Sequence, residues 1–113
     1  MPKIDSSYFG SIVIDGRKYN TDVIVSWDGE IIEREKSHIF SKKELMDLLM
    51  MKDVETIIIG TGTAGSVRID PEAEVFARVE GITLTALPTS QAIDEFNKRS
   101  RRTKVVAVIH VTD

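Results

Sequence analysis

Cysteine is absent from the 113 residues of this chain. Without cysteine the chain can form no disulfide framework, no thiolate zinc site and no cysteine nucleophile. The absence is typical of a reducing compartment, and we predict a cytoplasmic protein. Long apolar runs are lacking too, because no stretch approaches the roughly 20 residues that cross a bilayer. The opening Met1-Pro2-Lys3 does not resemble a secretory leader, so we predict no membrane partner.

An excess of basic charge is also lacking. The formal net charge is -3, and the basic residues do not form one long block. The electrostatic field expected of a nucleic-acid binder is therefore missing, which argues against a nucleic-acid partner. Hydrophobic residues make up 42% of the chain, which is too apolar for a disordered protein. Because this length can bury a core unaided, we predict a single domain over residues 1–113.

The first third of the chain is rich in β-branched residues and in signals for tight turns. The pairs Asp15-Gly16 and Asp28-Gly29 tolerate the left-handed backbone that hairpin turns require. Residues 8–34 are therefore predicted to form three antiparallel strands joined by two turns.

Capping signals predict two helices after this β-rich segment, and apolar spacing predicts a third. Ser41 and Glu44 have the spacing of a capping box at the start of the first helix. Asp70-Pro71 provides an N-cap and a first helical residue for the second, which should end near Gly81. The third helix follows Pro88 and Thr89, because Ala92, Ile93 and Phe96 have the spacing of one helical face.

Three apolar runs, at residues 54–59, 82–87 and 104–111, alternate with these helices. Strands separated by helices form right-handed crossovers and become parallel neighbours, although one reversed strand stays possible. The last run is almost entirely apolar, which indicates a central strand. The sequence thus predicts an α/β fold with a mixed, largely parallel sheet.

A glycine-rich segment from Gly60 to Gly65 has the spacing G-x-G-x-x-G after a predicted strand. In a dinucleotide-binding fold a helix begins within this motif, and the next strand ends at a carboxylate that binds ribose. Here the capping signals place the helix at Asp70, and the next strand ends at Leu87-Pro88. These departures favour a simple turn over a nucleotide site.

The carboxyl ends of parallel strands are nevertheless where ligands usually bind in an open α/β sheet. The loops at these ends could line a crevice for a small anion, with hydroxyl groups and helix N-termini as donors. The competing interpretation is that the hydroxyl groups cap helices and form turns. The candidate residues are Gly60, Thr61, Gly62, Thr63, Gly65, Pro88, Thr89 and Ser90.

His38 and His110 are the side chains that titrate naturally near neutral pH. His110 interrupts an apolar strand, so a satisfied, partly buried histidine is favoured over a catalytic base. His38 is in a loop and is freer to serve a site. The sequence contains no G-x-S-x-G elbow and no paired-histidine metal spacing, so no catalytic residue, metal or cofactor is assigned.

Several segments, in this order and spacing, resemble a family of small and mostly uncharacterised single-domain proteins. The family includes the adipogenesis-associated domain-containing protein of animals and the mitochondrial complex I assembly factor three, an NADH dehydrogenase assembly factor. The matching segments are Phe9-Gly10, Ile14-Asp15-Gly16, Ser37-His38, Ile57-Ile58-Ile59-Gly60-Thr61-Gly62, Pro88-Thr89, Ala92, Asn97 and Val106-Ala107-Val108-Ile109-His110-Val111-Thr112.

The resemblance implies a three-layer fold, with helices on the faces of a mixed central sheet and an added N-terminal β-hairpin layer. It also implies a non-catalytic protein-interaction or assembly-factor-type domain with an unknown protein partner, as a monomer or weak homodimer. The alternative is a nucleotide-binding or small-anion-binding protein or enzyme that uses loop 60–65. Many relatives have a cysteine after the final threonine, where this chain has Asp113.

Overall fold

The computed structural model describes residues 2–113, so Met1 lies outside the described part of the chain. Strands dominate the first forty residues, and helices alternate with strands after them. In chain order the elements are β1 (Ile4–Tyr8), β2 (Ser11–Ile14), β3 (Arg17–Tyr19), β4 (Asp22–Ser26), β5 (Ile31–Arg34), β6 (Ile39–Phe40), α1 (Lys42–Met51), β7 (Thr56–Gly60), β8 (Arg68–Ile69), α2 (Pro71–Val79), β9 (Thr83–Leu87), α3 (Thr89–Arg99) and β10 (Val105–Ile109).

The central sheet has the strand order β5-β4-β10-β7-β9. β10 pairs antiparallel with β4 and parallel with β7, while β4–β5 is antiparallel and β7–β9 is parallel. All five residues of β10 are buried, as its apolar sequence predicts for a central strand. The predicted mixed sheet is confirmed, and the last strand runs parallel to its neighbour β7.

Helices cover both faces of the central sheet. On one face Leu45 and Leu48 of α1 and Ala73 of α2 pack in a common core against the sheet. On the other face Phe96 of α3 shares a second core with Ile12 of the three-stranded sheet β1-β2-β3. This arrangement confirms the three-layer α/β architecture with an added N-terminal β layer.

The N-terminal third contains more strands than its sequence predicts. The turns at Asp15-Gly16 and Asp28-Gly29 form as expected and close the hairpins β2–β3 and β4–β5. Between Tyr19 and Asp22, however, the chain leaves the small sheet and enters the central one. β1 also precedes the predicted region. Both differences arise in short, polar segments whose side chains lack a clear alternating pattern.

The starts of α1 and α2 agree with their capping signals, whereas α3 begins after Pro88 without a side-chain cap. The hydroxyl of Ser41 accepts a hydrogen bond from the backbone N–H of Glu44, and Asp70 accepts one from Glu72. The Glu44 side chain binds Arg34 of β5 instead of completing the capping box. α1 is therefore attached to the edge of the central sheet as well as capped.

Lys52, at the end of α1, binds the turn between β4 and β5. Its Nζ lies 2.6 Å from Asp28 and 2.5 Å from Glu30. The hydrogen bond from Lys52 lowers the pKa of Asp28 from 3.8 to about 2. Because this pKa is depressed in the folded state, the associated stabilisation is present above pH 3.8 and is lost as the pH falls towards about 2.

We therefore expect Lys52→Met to lower the melting temperature near neutral pH, with a difference from the parent that shrinks in acid. Thermal unfolding from neutral pH down to about pH 2 measures this, since Asp28 becomes protonated in both proteins over that range. Lys43→Met is the matched control, because Lys43 pairs with Asp47 in an exposed position. A difference that stays constant down to the lowest pH would contradict the assignment.

Candidate functional site

His110 follows the end of the central strand β10, and its side chain is almost fully buried at 1% exposure. Ile109 pairs with Val23 of β4, so the antiparallel register brings His110 beside Asp22. The Nδ1 atom of His110 lies 2.7 Å from Oδ2 of Asp22. The strand register thus makes a buried histidine–carboxylate pair from residues distant in sequence.

The carboxylate of Asp22 is the centre of a buried polar network. Its Oδ1 accepts from the backbone N–H of Val111 at 3.0 Å, and its Oδ2 also accepts from Arg34 Nη1 at 3.2 Å. Arg34 is the register partner of Asp22 on β5, and both side chains are buried. Buried charges are costly unless they are paired and hydrogen-bonded, and this network supplies the partners.

Arg34 links this network to the loop that contains His38. Its guanidinium makes two hydrogen bonds to Glu44, at 2.5 and 3.0 Å, in the bidentate geometry that arginine favours with carboxylates. It also donates to the backbone oxygens of Ser37 and Ile39, on either side of His38. The position of His38 is therefore fixed by contacts to a buried arginine.

The Nε2 atom of His110 faces the surface, where it meets Asp113 and His38. Oδ1 of Asp113 lies 2.9 Å from His110 Nε2 and 3.0 Å from His38 Nε2. The two imidazole rings are edge-to-face with centroids 5.1 Å apart. Hydrogen bonds from His110 and His38 lower the pKa of Asp113 to about 2. The side chains of His38 and Asp113 are each 50% exposed, so solvent reaches the cluster.

The glycine-rich loop after β7 holds residues 112 and 113 in place. The N–H of Thr63 donates to Thr112 O at 2.9 Å, and those of Ala64 and Ser66 donate to Asp113 O at 2.8 and 3.2 Å. Gly62 has φ +98°, and a Cβ there would lie 2.3 Å from the Asp113 carbonyl carbon. The glycine allows the chain to pass directly over the loop.

The predicted crevice residues lie together at this edge of the sheet, beside His110. Thr89 links the loops, because its hydroxyl donates to His110 O at 2.8 Å and accepts from the N–H of Gly62 at 2.9 Å. Thr61 donates through its N–H and its hydroxyl to Leu87 O. Neither hydroxyl group caps α3, which has no side-chain cap, so both of them join neighbouring loops instead. Among the remaining candidates Gly60 is buried, while Thr63, Gly65, Pro88 and Ser90 are exposed.

Anion binding in this crevice stays a prediction, and an anion would have to replace residue 113 on the loop amides.

Four residues of the network, Asp22, Arg34, Glu44 and Asp113, were not expected in the site from the sequence. The sequence does contain one signal for Asp22 and Arg34. Asp22 begins β4 and Arg34 ends β5, and a predicted turn joins these two strands. A pair of opposite charges at matched hairpin positions favours cross-strand contact.

Residues 4–110 match the family described as "Protein of unknown function (DUF498/DUF598)". The chain belongs to this family. The family description assigns no activity, and no curated protein matches the chain. Membership of a small family of unknown function, which the resemblance implied, is thereby confirmed.

Solved structures with the same fold extend over nearly the whole chain. The conserved hypothetical protein PH1505 from Pyrococcus horikoshii is 28% identical, with a TM-score of 0.88 and coverage of 98% of this chain and 99% of that one. The protein MT938 is 32% identical, with a TM-score of 0.81 and full coverage of both chains.

A more distant structure, an Mth938-like domain from Bordetella pertussis, shares the fold alone. It is 15% identical, has a TM-score of 0.74, and matches 96% of this chain and 85% of that one.

None of the helices within residues 2–113 has the length and apolar character needed to traverse a bilayer.

Proposed function

We propose that this protein is a non-catalytic interaction domain that binds another protein through the outer surface of its two-helix layer. The supporting observation is a set of large apolar side chains that α1 and α2 expose to solvent. These side chains, which we call the α1–α2 face, are Met46, Met50, Met51, Val75 and Val79. Large exposed apolar patches on soluble proteins mark interaction sites.

The exposed residues of α2 lie one helical turn apart. Val75 is 54% exposed and Val79 is 74% exposed, and both line an open depression with Phe76 and Pro71. Lys42 of α1 borders the same depression and lies over the Phe76 ring, 5.4 Å from its centroid. Neither valine contributes to the two cores beneath the helices. Burial by a partner would remove this apolar area from water.

The partner that fits this face best presents an amphipathic helix or a similar apolar segment. Two neighbouring helices form a groove in which the apolar side of a third helix can lie. Methionine side chains such as that of Met50, which is 86% exposed, adapt to different apolar surfaces. Lys42 and Glu72 border the depression and offer charges of both signs to the polar side of such a segment.

The resemblance to particular members of the family supports the same proposal. The family that the sequence resembles includes a complex I assembly factor, and assembly factors act by contacting other proteins. By analogy, we propose that this chain is a cytoplasmic domain and that it is a monomer or a weak homodimer when no partner is bound. The absence of cysteine supports the cytoplasmic location.

Site-specific photo-crosslinking in cells that produce the protein tests the proposal. A photo-reactive amino acid at Val79 is expected to give one discrete adduct with another protein. The same amino acid at Lys18, which is exposed on the opposite layer, is expected to give none. Val75→Asp should reduce the Val79 adduct at least about tenfold, because a charge in an interface core costs about 1.4 kcal/mol or more.

Three outcomes would overturn the proposal. The first is no adduct at Val79, and the second is the same set of adducts at Val79 and Lys18. The third is an adduct with a second copy of this chain, which would make the face a homodimer interface. Unchanged thermal unfolding of Val75→Asp provides the control, since surface substitutions usually alter stability by less than about 0.5 kcal/mol.

A further inference from the structure

Three atoms that commonly bind metal ions converge at the surface end of the buried network. They are Nε2 of His38, Nε2 of His110 and Oδ1 of Asp113, and they lie within 4.8 Å of one another. The shared Asp113 oxygen is 3.0 Å from the first nitrogen and 2.9 Å from the second. The residues come from a loop, the end of β10 and the segment that crosses the glycine-rich loop.

The contacts of His110 direct its Nε2 atom towards Asp113. Asp22 accepts from Nδ1 of His110 at 2.7 Å, so that nitrogen carries a proton. In the neutral ring Nε2 then has a bare lone pair, which faces the acceptor Oδ1 of Asp113 at 2.9 Å. The Thr112 hydroxyl also lies 3.1 Å from this nitrogen, and a bare imidazole nitrogen beside a carboxylate oxygen is an arrangement that a metal cation can bridge.

The charges around the cluster favour a cation with more than one positive charge. Asp22, Glu44 and Asp113 contribute three carboxylates, and Arg34 contributes one guanidinium. With neutral imidazole rings these side chains have two excess negative charges. One divalent ion would balance them.

We propose that His38, His110 and Asp113 bind one divalent transition-metal ion of the zinc class, with a fourth position open to solvent. Bonds of about 2.0–2.1 Å in a tetrahedral site place ligand atoms about 3.3 Å apart. Asp113 is already within a few tenths of an ångström of this separation from both nitrogens. This inference goes beyond the proposed function and differs from the sequence analysis, which assigns no metal.

The buried network has the features that orient metal ligands in proteins. A metal-binding histidine usually donates its other ring N–H to a carboxylate, which fixes the tautomer and the ring orientation. Asp22 does this for His110, and it is itself held by Arg34 and by the N–H of Val111. The loop amides of Ala64 and Ser66 hold the backbone of Asp113.

The ligand set indicates the class of metal. Two imidazole nitrogens and one carboxylate oxygen suit Zn²⁺ and its neighbours Co²⁺, Ni²⁺ and Cu²⁺. Mg²⁺ and Ca²⁺ prefer sites made of oxygen atoms alone. Because the side chains of His38 and Asp113 are half-exposed, water or an exogenous ligand can reach the fourth position.

Calorimetric titration with ZnCl₂ tests the proposal on the chelator-treated 113-residue chain without a polyhistidine tag. We expect one Zn²⁺ per chain, and we expect Co²⁺ to give the visible absorption of a tetrahedral complex. His38→Ala should weaken binding at least about 100-fold, since even an outer partner of a metal ligand contributes about 10–100-fold. Asp47→Asn, which removes an exposed carboxylate on α1, should leave the dissociation constant unchanged.

Long-range ¹H–¹⁵N spectra of the unmutated protein provide a second measurement that depends on no variant. Zn²⁺ should shift Nε2 of both histidines together, while Nδ1 of His110 stays protonated by its bond to Asp22. Absence of binding, binding that His38→Ala leaves intact, or unshifted ring nitrogens would each overturn the proposal. None of these results would affect the proposed contact of a partner with the α1–α2 face.

Discussion

Replacing Asp22 with alanine is expected to remove about 3–5 kcal/mol from the free energy of unfolding. The substitution leaves the guanidinium of Arg34 and the Nδ1–H of His110 buried without their common acceptor. The backbone N–H of Val111 loses its acceptor as well. Removing one partner of a buried pair costs more than the pair contributes, because the remaining charge stays desolvated. Chemical denaturation near neutral pH measures the loss.

Lys43→Ala is the matched control for this measurement. It removes an ion pair with Asp47, but both side chains are largely exposed. Exposed pairs at this helical spacing contribute about 0.3–0.5 kcal/mol, so the control should unfold at nearly the same denaturant concentration as the parent. A loss at Asp22 no larger than that of the control would show that the network does not stabilise the fold.

The second large effect is expected at Gly62. Gly62→Ala places a side chain where φ is +98°, which costs about 1–3 kcal/mol in strained backbone. The new Cβ would also lie 2.3 Å from the carbonyl carbon of Asp113, so residues 112 and 113 must leave the loop. We expect lower stability and changed NMR signals for the histidine rings that contact Asp113. Thermal unfolding and ¹H–¹⁵N spectra report the two effects separately.

Gly29→Ala separates backbone strain from the contact with Asp113. Gly29 has φ +96°, but a Cβ there would meet nothing within 4 Å. This variant should therefore lose stability through its backbone alone and leave the histidine signals unchanged. If Gly62→Ala is no more destabilised than Gly29→Ala and the ring signals are unaltered, the packing of residue 113 on the loop is wrong.

Elements with local signals could be predicted from the sequence. Ser41 and Asp70 mark helix starts because a side-chain oxygen caps backbone N–H groups a few residues away. The Asp28-Gly29 turn follows from its own backbone preferences. Strand β10 could be recognised as central because it is apolar at every position. Each of these properties depends on a few neighbouring residues.

The site itself could not be predicted, because it depends on register between distant strands. His110 could be recognised as a polar interruption, but its partner Asp22 lies 88 residues away in sequence. A shift of one residue between β4 and β10 would turn these side chains to opposite faces. Glu44 had a satisfactory local role as half of a capping box, and that role concealed its tertiary contact with Arg34. The sequence marks Asp113 only by the cysteine that many members of the family it resembles have at this position.

The position of β10 has a consequence for the order of events during synthesis. Among the described strands β10 is the last in sequence, yet it inserts between β4 and β7 and joins the antiparallel half of the sheet to the parallel half. Until β10 emerges from the ribosome, each of its neighbouring strands has an unpaired edge. The cores on both faces of the sheet also lack the residues that β10 contributes to them. The central sheet therefore closes only after β10 has been synthesised, and its closing contacts join segments that are far apart in sequence.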